Sequence, residues 1–443
     1  VRHRPQHAAP AAHPVRRTLA RIAAAVGFVL VVFALIGALT LYARHCLRQR
    51  GLGAVDAPVL AATPAWGDEF ARTGRFEAHI AFTDFAVPDD GETTMAVTWD
   101  DAWFDADRTV YNPELAAAGA VIATLAYAES GYYQAGNTCL PYMELGLSAL
   151  GFTDVSTASY RYRSEVIDEA LSLVTQEADG AAYGIAEKRM VGADGTLRDL
   201  MVVSVRGSYG SEWLSNLAVD SDDDHPGYRE AAAEVARALA PRVKRAHQEG
   251  RSVELLLVGH SRGGAIANLV AAGALDELAG LEGTRALIGL AAGDGVRAYT
   301  YASPATTVSA DAADARYASI FNIANPADIM THLPLEAWGY VRYGVDVALP
   351  SVTSADFATR HAAMEEAFAE VMGAPSPYNP EDELLIADLT ADISGAVRSL
   401  DDLMTPAGVA TVVSTVAMRV NPWEILYAHY PSVYIAWLES LAA

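Results

Sequence analysis

Cysteine is nearly missing from this sequence. Cys46 and Cys139 are the only two in 443 residues, which excludes a disulfide-stapled scaffold. One bridge between them and two separate thiols both fit, and neither is assigned a role. Acidic residues are absent from positions 1–50, which hold eight arginines and no Asp or Glu. Bases are scarce in the remainder. Of 31 Lys and Arg, 23 fall in residues 51–443 against all 55 Asp and Glu, a net charge of -32 there within a total of -24. So acidic a body repels phosphate backbones, which argues against nucleic acid as a partner. No internal repeat is present, so solenoids and arrays are set aside. The run "DSDDDH" at 220–225 lacks the glycine turn and closing Glu of a calcium-binding EF-hand and reads as a solvated acidic loop. No metal or organic cofactor is expected.

What the N-terminus does have is an uncharged run, "IAAAVGFVLVVFALIGALTLY", from Ile22 to Tyr42. As a helix it spans about 30 Å, the hydrocarbon thickness of a bilayer. Arg2, Arg4, Arg16, Arg17 and Arg21 precede it, and Arg44, Arg48 and Arg50 follow. That distribution favours a cytoplasmic N-terminus. The alternative is a cleaved signal peptide, but the run is long for one and no small-x-small cleavage site follows closely. The division expected is a basic arm (1–21), a transmembrane anchor (22–42), a linker (43–75) and a globular domain (76–443). The anchor sets the body outside the cytoplasmic membrane.

Within the body, "FEAHIAFTDF" (76–85) and "MAVTWDDAWF" (95–104) read as extended segments. "NPELAAAGAVIATLAYAES" (112–130) has a proline near its start and helical composition after it. "DLMVVSVRG" (199–207) and "SVELLLVGH" (252–260) are apolar, strand-like runs. A helical pattern, 227–250, separates them, with Pro241 expected to bend it. After another helical run, "VRAYTYASP" (296–304) and "SIFNIANPAD" (319–328) read as strands. This alternation predicts an α/β fold, a mainly parallel sheet flanked by helices. Residues 374–406 read as an irregular excursion, about 355–420 as an insertion or cap, and a last helical segment is expected from near Pro422.

"LLLVGHSRGGAIANL" holds Gly-x-Ser-x-Gly at the strand-to-helix junction. A residue at the tip of such a bend has a strained backbone, and flanking side chains would collide with the neighbouring strand and helix. Gly259 and Gly263 remove those side chains, and Ser261 becomes a candidate nucleophile. The helix behind it points amides at the reacting centre. The plain alternative is a Gly-rich turn with a spectator serine.

A nucleophilic serine needs a base, and the base an orienting acid. In this architecture the partners follow in the order Ser, Asp, His. Asp328 ends a strand, at the edge where Ser261 sits. His260, adjacent to Ser261, is expected to point away. His332 is too near Asp328 in sequence and reads as a loop residue. His361, in "ATRHAAMEEAF", reads as a surface histidine. His429, in "LYAHYPSVYIAWL", is favoured as base with His361 as runner-up; a packed aromatic-cluster histidine is the plain reading of His429.

Six stretches in order resemble one family, the class 3 (fungal-type triacylglycerol) lipases of the α/β-hydrolase superfamily. "VGHSRGGAIANL" is similar to its serine element, and "VVSVRGSYGSEWLSNL" (202–217) to its Arg-Gly-Ser or Arg-Gly-Thr strand with a Trp-containing segment behind it. "DHPGYREAAAEV", "YTYASPATT", "FNIANPADIMTHLPL" and "WGYVRYGVDV" resemble four further signatures, so the likeness covers about 110–350 plus a short C-terminal piece. The resemblance implies Ser261 as nucleophile, Asp328 as acid and His429 as base. It implies oxyanion donors from Ser208 and the Arg262 amide, and a lid at about Tyr209 to Leu217 with Trp213 on its apolar face. Two positions depart from the pattern. Arg262 stands where Leu is usual, which suggests less apolar substrates, and the interval from Asp328 to His429 is long.

The function expected is a membrane-anchored serine ester hydrolase, a lipase or carboxylesterase acting on a lipid or other ester. The competing readings are a non-catalytic binding domain that keeps the lipase-like shell, and a phospholipase A1 or thioesterase on the same triad.

Overall fold

The computed structural model describes residues 72–84, 91–134, 140–162, 181–207, 224–281, 283, 285–403, 405–419, 421 and 424–442. All belong to a unit spanning Thr63–Ala443. The basic arm, the apolar run 22–42, both cysteines, Ser208, the stretch 209–217 with Trp213, and Asp220, Ser221, Asp222 and Asp223 lie outside the described residues. No helix among the described residues is long and apolar enough to cross a membrane.

The two apolar runs around the serine become adjacent parallel strands, because a strand buried on both faces needs a continuous hydrophobic sequence. They are β5 (Leu197–Val205) and β6 (Ser252–His260) of a seven-stranded sheet. With β3 (Thr153–Ser156), β4 (Tyr183–Val191), β7 (Gly295–Tyr301), β8 (Ile320–Ala324) and β9 (Val345–Ala348), the spatial order is β3-β4-β5-β6-β7-β8-β9. β3, β4 and β5 pair antiparallel, and β5 to β9 pair parallel. The antiparallel β3 and β4 and the edge strand β9 were not foreseen as strands from composition.

Side chains alternate across β6. Leu255 and Leu257 join a core on one face with α3 (Pro226–Gln248) and α4 (Arg262–Leu278). Leu256 and Val258 join the core on the other face with α1 (Pro113–Gln134). α1 is apolar all round because it is wrapped all round, from Leu115 to Ser130. α3 runs through Pro241 without ending there.

On the α1 side lie three elements outside the sheet. β1 (Arg75–Thr83) and β2 (Glu92–Asp100) form a separate antiparallel hairpin. Its strict alternation sends Ile80, Phe82, Val97 and Trp99 into the core and polar residues outward. The extended segment expected at 95–104 stops at Asp100, where the Asp100 carboxylate caps a short 3-10 turn, Asp101–Phe104. α2 (Tyr142–Ala149) packs beside β1 and α1.

The C-terminal third is more helical than composition suggests. α5 (Phe357–Met372) precedes the interval 374–406 expected to be irregular, α6 (Asp382–Ala396) and α7 (Leu400–Leu403) lie in it, and α8 (Pro406–Arg419) begins at its end. The cause is a local apolar seam. Ile386, Leu389 and Ile393 of α6 bury together with Leu335 and Ile425, with Val412 and Val416 of α8 against them. The acidic residues between are the outer face of that seam. The last segment starts as a 3-10 turn, Glu424–His429, and becomes α9 (Pro431–Ala442), a few residues later than the expected start near Pro422.

Candidate active site

β6 enters the bend with Gly259 opposite Val205 of β5 and His260 opposite Tyr301 of β7. Ser261 then takes φ 57°, ψ -130°. This is a conformation side chains rarely adopt, and it costs on the order of 1–3 kcal/mol. The surroundings impose it. The Ser261 amide donates to the Tyr301 carbonyl (2.9 Å), and its own carbonyl accepts from Ala265 in the first turn of α4 (3.1 Å). A Cβ on Gly259 would lie 2.3 Å from the Gly263 carbonyl oxygen, and one on Gly263 would lie 2.1 Å from the Val205 carbonyl oxygen. No substituent fits at either position, which is the reason for the two glycines of the pentapeptide. Ser261 is 7% exposed at the tip of this elbow.

Asp328 follows β8 and is completely buried. Its Oδ1 accepts from the Met330 amide (2.9 Å), which caps the turn Ile329–His332. Its Oδ2 accepts from His429 Nδ1 (2.8 Å) and from the Tyr434 hydroxyl (2.8 Å). A carboxylate only accepts, so Nδ1 of His429 carries the proton and Nε2 is left for a nucleophile. The His429 ring lies 4.8 Å, centroid to centroid, from the ring of His260, the residue before Ser261. The chain thus brings His429 beside the elbow across the long interval from Asp328.

The other histidines fall into structural positions. His260 is buried; its Nδ1 bonds the Tyr127 hydroxyl (2.9 Å). Burial first, and the adjoining His429 second, hold its pKa well below the usual range, so it stays neutral beside the base. His332 bonds the Pro326 carbonyl through Nε2 (3.1 Å) and braces its own loop. His361 departs from the surface reading. It stacks on Phe357 (5.3 Å) and packs near Tyr378 (5.8 Å) and Trp437 (6.1 Å). The aromatic-cluster histidine is therefore His361, and His429 carries the carboxylate contact.

Of the two positions expected to donate to an oxyanion, only Arg262 is among the described residues. Arg262 opens α4, and first-turn amides have no intrahelical acceptor, so its N–H belongs to the set aimed at the site. Gly207, at the end of β5, lies against the elbow: a Cβ there would meet Ser261 Cβ at 3.1 Å. Ser208 is the next residue along the chain and falls outside the described region. The Arg262 side chain is 6% exposed and close enough to Tyr228 to act on its phenol electrostatically. It turns inward rather than offering a charge to solvent beside the nucleophile. Asp224, the described end of the acidic run, is likewise no solvated charge. It accepts from Arg285 Nε (2.8 Å), Arg285 Nη2 (2.9 Å) and the Tyr343 hydroxyl (3.0 Å).

Two functional side chains escape sequence reasoning. Tyr434 receives the Asn325 amide (3.0 Å) on the hydroxyl that it donates to Asp328. Burial first and the Asp328 charge second raise its pKa well above the ordinary phenol value, so it remains a donor. Asn325 also reaches the Ala428 carbonyl, one residue before the base, through Nδ2 (3.2 Å). The spacing Asn325-Pro-Ala-Asp328 is legible in the sequence. What joins it to the tyrosine-rich C-terminal stretch is the fold.

Residues 202–338 match the family model Lipase (class 3). No curated protein matches the chain. Among solved structures, the chain is similar to the native Rhizomucor miehei lipase propeptide complex, at 20% identity over 53% of this chain and 67% of that one, TM-score 0.34. It is similar to a deletion mutant of that complex at 19% identity over 54% of this chain and 66% of that one, just under two thirds, TM-score 0.34. It is also similar to the lipase from Rhizopus microsporus var. chinensis, at 17% identity over 44% and 77%, TM-score 0.27. The matched segment, residues 202–338, is similar to the class 3 lipases and holds β6 to β8, the elbow at Ser261 and the turn at Asp328.

Proposed function

We propose that this protein hydrolyses carboxylic esters of lipid-like substrates, as a lipase or carboxylesterase, from a membrane-anchored position. The observation that carries the reading is the 2.8 Å contact from His429 Nδ1 to the buried Asp328 carboxylate, beside an elbow that holds Ser261 at φ 57°. In the reaction, Ser261 Oγ attacks the acyl carbon while His429 Nε2 takes its proton. Asp328 fixes the tautomer and stabilises the imidazolium that forms. The tetrahedral oxyanion is held by the Arg262 amide and a donor from Ser208. One such donor is worth about 100- to 1000-fold in rate. His429 returns the proton to the departing alcohol, and water on the same base releases the acid from the acyl-enzyme.

The membrane part rests on sequence. The uncharged run 22–42 anchors the chain, its arginine-rich arm stays on the cytoplasmic side, and the body of net charge -32 stands outside.

The test is hydrolysis of p-nitrophenyl esters of short and long acyl chains by the detergent-solubilised full chain and its Ser261→Ala variant, with fluorophosphonate labelling of the serine in parallel. Wild-type turnover and labelling, both lost in the variant, support the proposal. Equal background rates for the two proteins return the reading to a non-catalytic binding domain. Preference for phospholipid or thioester substrates reassigns the same triad to those classes.

A further inference from the structure

Asp84 is the last described residue before the tip of the N-terminal hairpin, far outside the matched segment. It is 7% exposed. Its Oδ2 accepts from the Ser432 amide (3.1 Å) and its Oδ1 from the Ser432 hydroxyl (2.8 Å), across 348 positions of chain. Its own amide donates to the Gly91 carbonyl (3.0 Å), which closes the hairpin behind it. Ser432 is the second residue of α9, follows Pro431, and is fully buried.

A carboxylate here meets the orphan amides and the positive end of a twelve-residue helix. That helix start is also the anchor of the base. His429 lies three residues upstream, and the Tyr430 carbonyl between them takes the Val433 amide (3.0 Å). Tyr434, in the same first turn, donates to the oxygen of Asp328 that receives His429. Moving the start of α9 therefore displaces the base and the tyrosine together from their common carboxylate.

We propose that Asp84 is a positioning residue for His429, so that the β1–β2 hairpin forms part of the catalytic apparatus. It touches no reacting atom. It fixes the backbone from which the imidazole reaches Ser261, and near-attack geometry is sensitive to displacements of about 1 Å. This rests on the triad reading given above.

The experiment measures kcat and KM on p-nitrophenyl butyrate for the full chain, with thermal melts on every variant. Asp84→Ala is expected to lower kcat about tenfold with KM changed less than twofold. Asp84→Asn, which keeps one acceptor, is expected to recover about a third of the lost rate. In a His429→Ala background, Asp84→Ala is expected to cause no further loss, because the residue acts through the histidine. An unchanged kcat in a cooperatively melting Asp84→Ala variant overturns the proposal, as does a full tenfold loss on top of His429→Ala. Should Asp84→Ala fail to fold, Ser432→Ala removes only the hydroxyl contact; about threefold lower kcat supports the proposal and an unchanged kcat overturns it. The Ser261→Ala control separates the two levels. If it hydrolyses the ester at the wild-type rate, the triad reading fails and takes this inference with it. If it is inactive while the Asp84 variants are unimpaired, only the positioning role falls.

Discussion

The proposed nucleophile and the proposed base of this protein, Ser261 and His429, are held in opposite ways. Ser261 is fixed by what is missing around it: no side chain at Gly259 or Gly263, and a backbone clash of 2.1–2.3 Å for any that might be added. The constraint is complete within a few residues of sequence and two adjacent strands. His429 is fixed by what is supplied from afar. The carboxylate it meets follows β8, the tyrosine that shares this carboxylate comes from α9, Asn325 holds the carbonyl of the preceding Ala428, and Asp84 caps the helix that follows. Steric exclusion gives an all-or-none position. A network of hydrogen bonds gives a graded one, since each bond can be lost singly. The two halves should therefore fail differently when altered.

The largest effect is expected at the base itself. His429→Ala should lower kcat on an activated ester by about 10⁴-fold, on the scale seen when one triad member is removed. His361→Ala, measured beside it, should leave kcat within about twofold. Reversal of that pair, with both variants melting cooperatively, breaks the assignment of the base. The elbow should fail in stability rather than in rate. Gly263→Ala places its Cβ against the Val205 carbonyl, where backbone and not a flexible side chain has to yield. A cost of about 3 kcal/mol or more is expected for so tight an overpacking, read as lost soluble yield or a lower Tm. A Gly263→Ala protein with an unaltered melt and reduced kcat alone would show that the elbow, too, is graded.

This difference also explains what was legible in the sequence. Gly259, Ser261 and Gly263 are local, and so is the rule that places them, so pattern reading finds the elbow at once. The parallel strands β5 to β8 are legible for the same reason, as runs buried on both faces. Asp328 is read from its place at a strand end. His429 is favoured over His361 from its place in the chain, but the contact that distinguishes the two spans 101 positions and leaves no local pattern. Asp84 and Tyr434 give no local signal. α6 is hidden because Asp and Glu dominate its exposed face, while the apolar seam of Ile386, Leu389 and Ile393 is only one stripe wide. β4 carries three consecutive charged residues, Glu187, Lys188 and Arg189, in "IAEKRMV", with Lys188 buried, so composition alone does not mark it as a strand.

Not every buried polar group on the flanking side serves the base, and Glu129 sharpens the contrast. It lies on α1 and accepts the Met143 amide through Oε2 (2.9 Å). Burial pushes its pKa up to about 7, against an ordinary 4.5. The folded state thus prefers the neutral acid. Its contribution to stability is complete below pH 4.5 and is lost as pH rises through 7, about 3 kcal/mol at most. Glu129→Gln keeps a neutral acceptor at every pH. The variant and the wild type should melt together at pH 4.5, while the variant melts higher at pH 8. A constant difference between them across that range would show that the carboxyl ionises freely in the folded protein. Turnover at pH 8 should not follow the stability gain, because Glu129 makes no contact with Asp328 or His429 among the hydrogen bonds of the site.

The smallest effect expected is also the most discriminating for the graded half. Tyr434→Phe removes one hydroxyl and no packing volume. Asp328 Oδ2 then loses one of two donors but keeps His429, and the Asn325 amide loses its acceptor. A hydrogen bond to a charged group is worth about 1.5–3 kcal/mol, and part of the loss is recovered when the carboxylate leans on its remaining partners. About tenfold in kcat is expected, with KM nearly unchanged because the hydroxyl is buried away from substrate. Combined with Asp84→Ala, the loss should be less than the product of the two single losses, since both act on the start of α9 and on the same imidazole. If the losses multiply, the hydrogen bonds around His429 are independent props rather than one network, and the base is held in the same piecewise manner by each element that touches it.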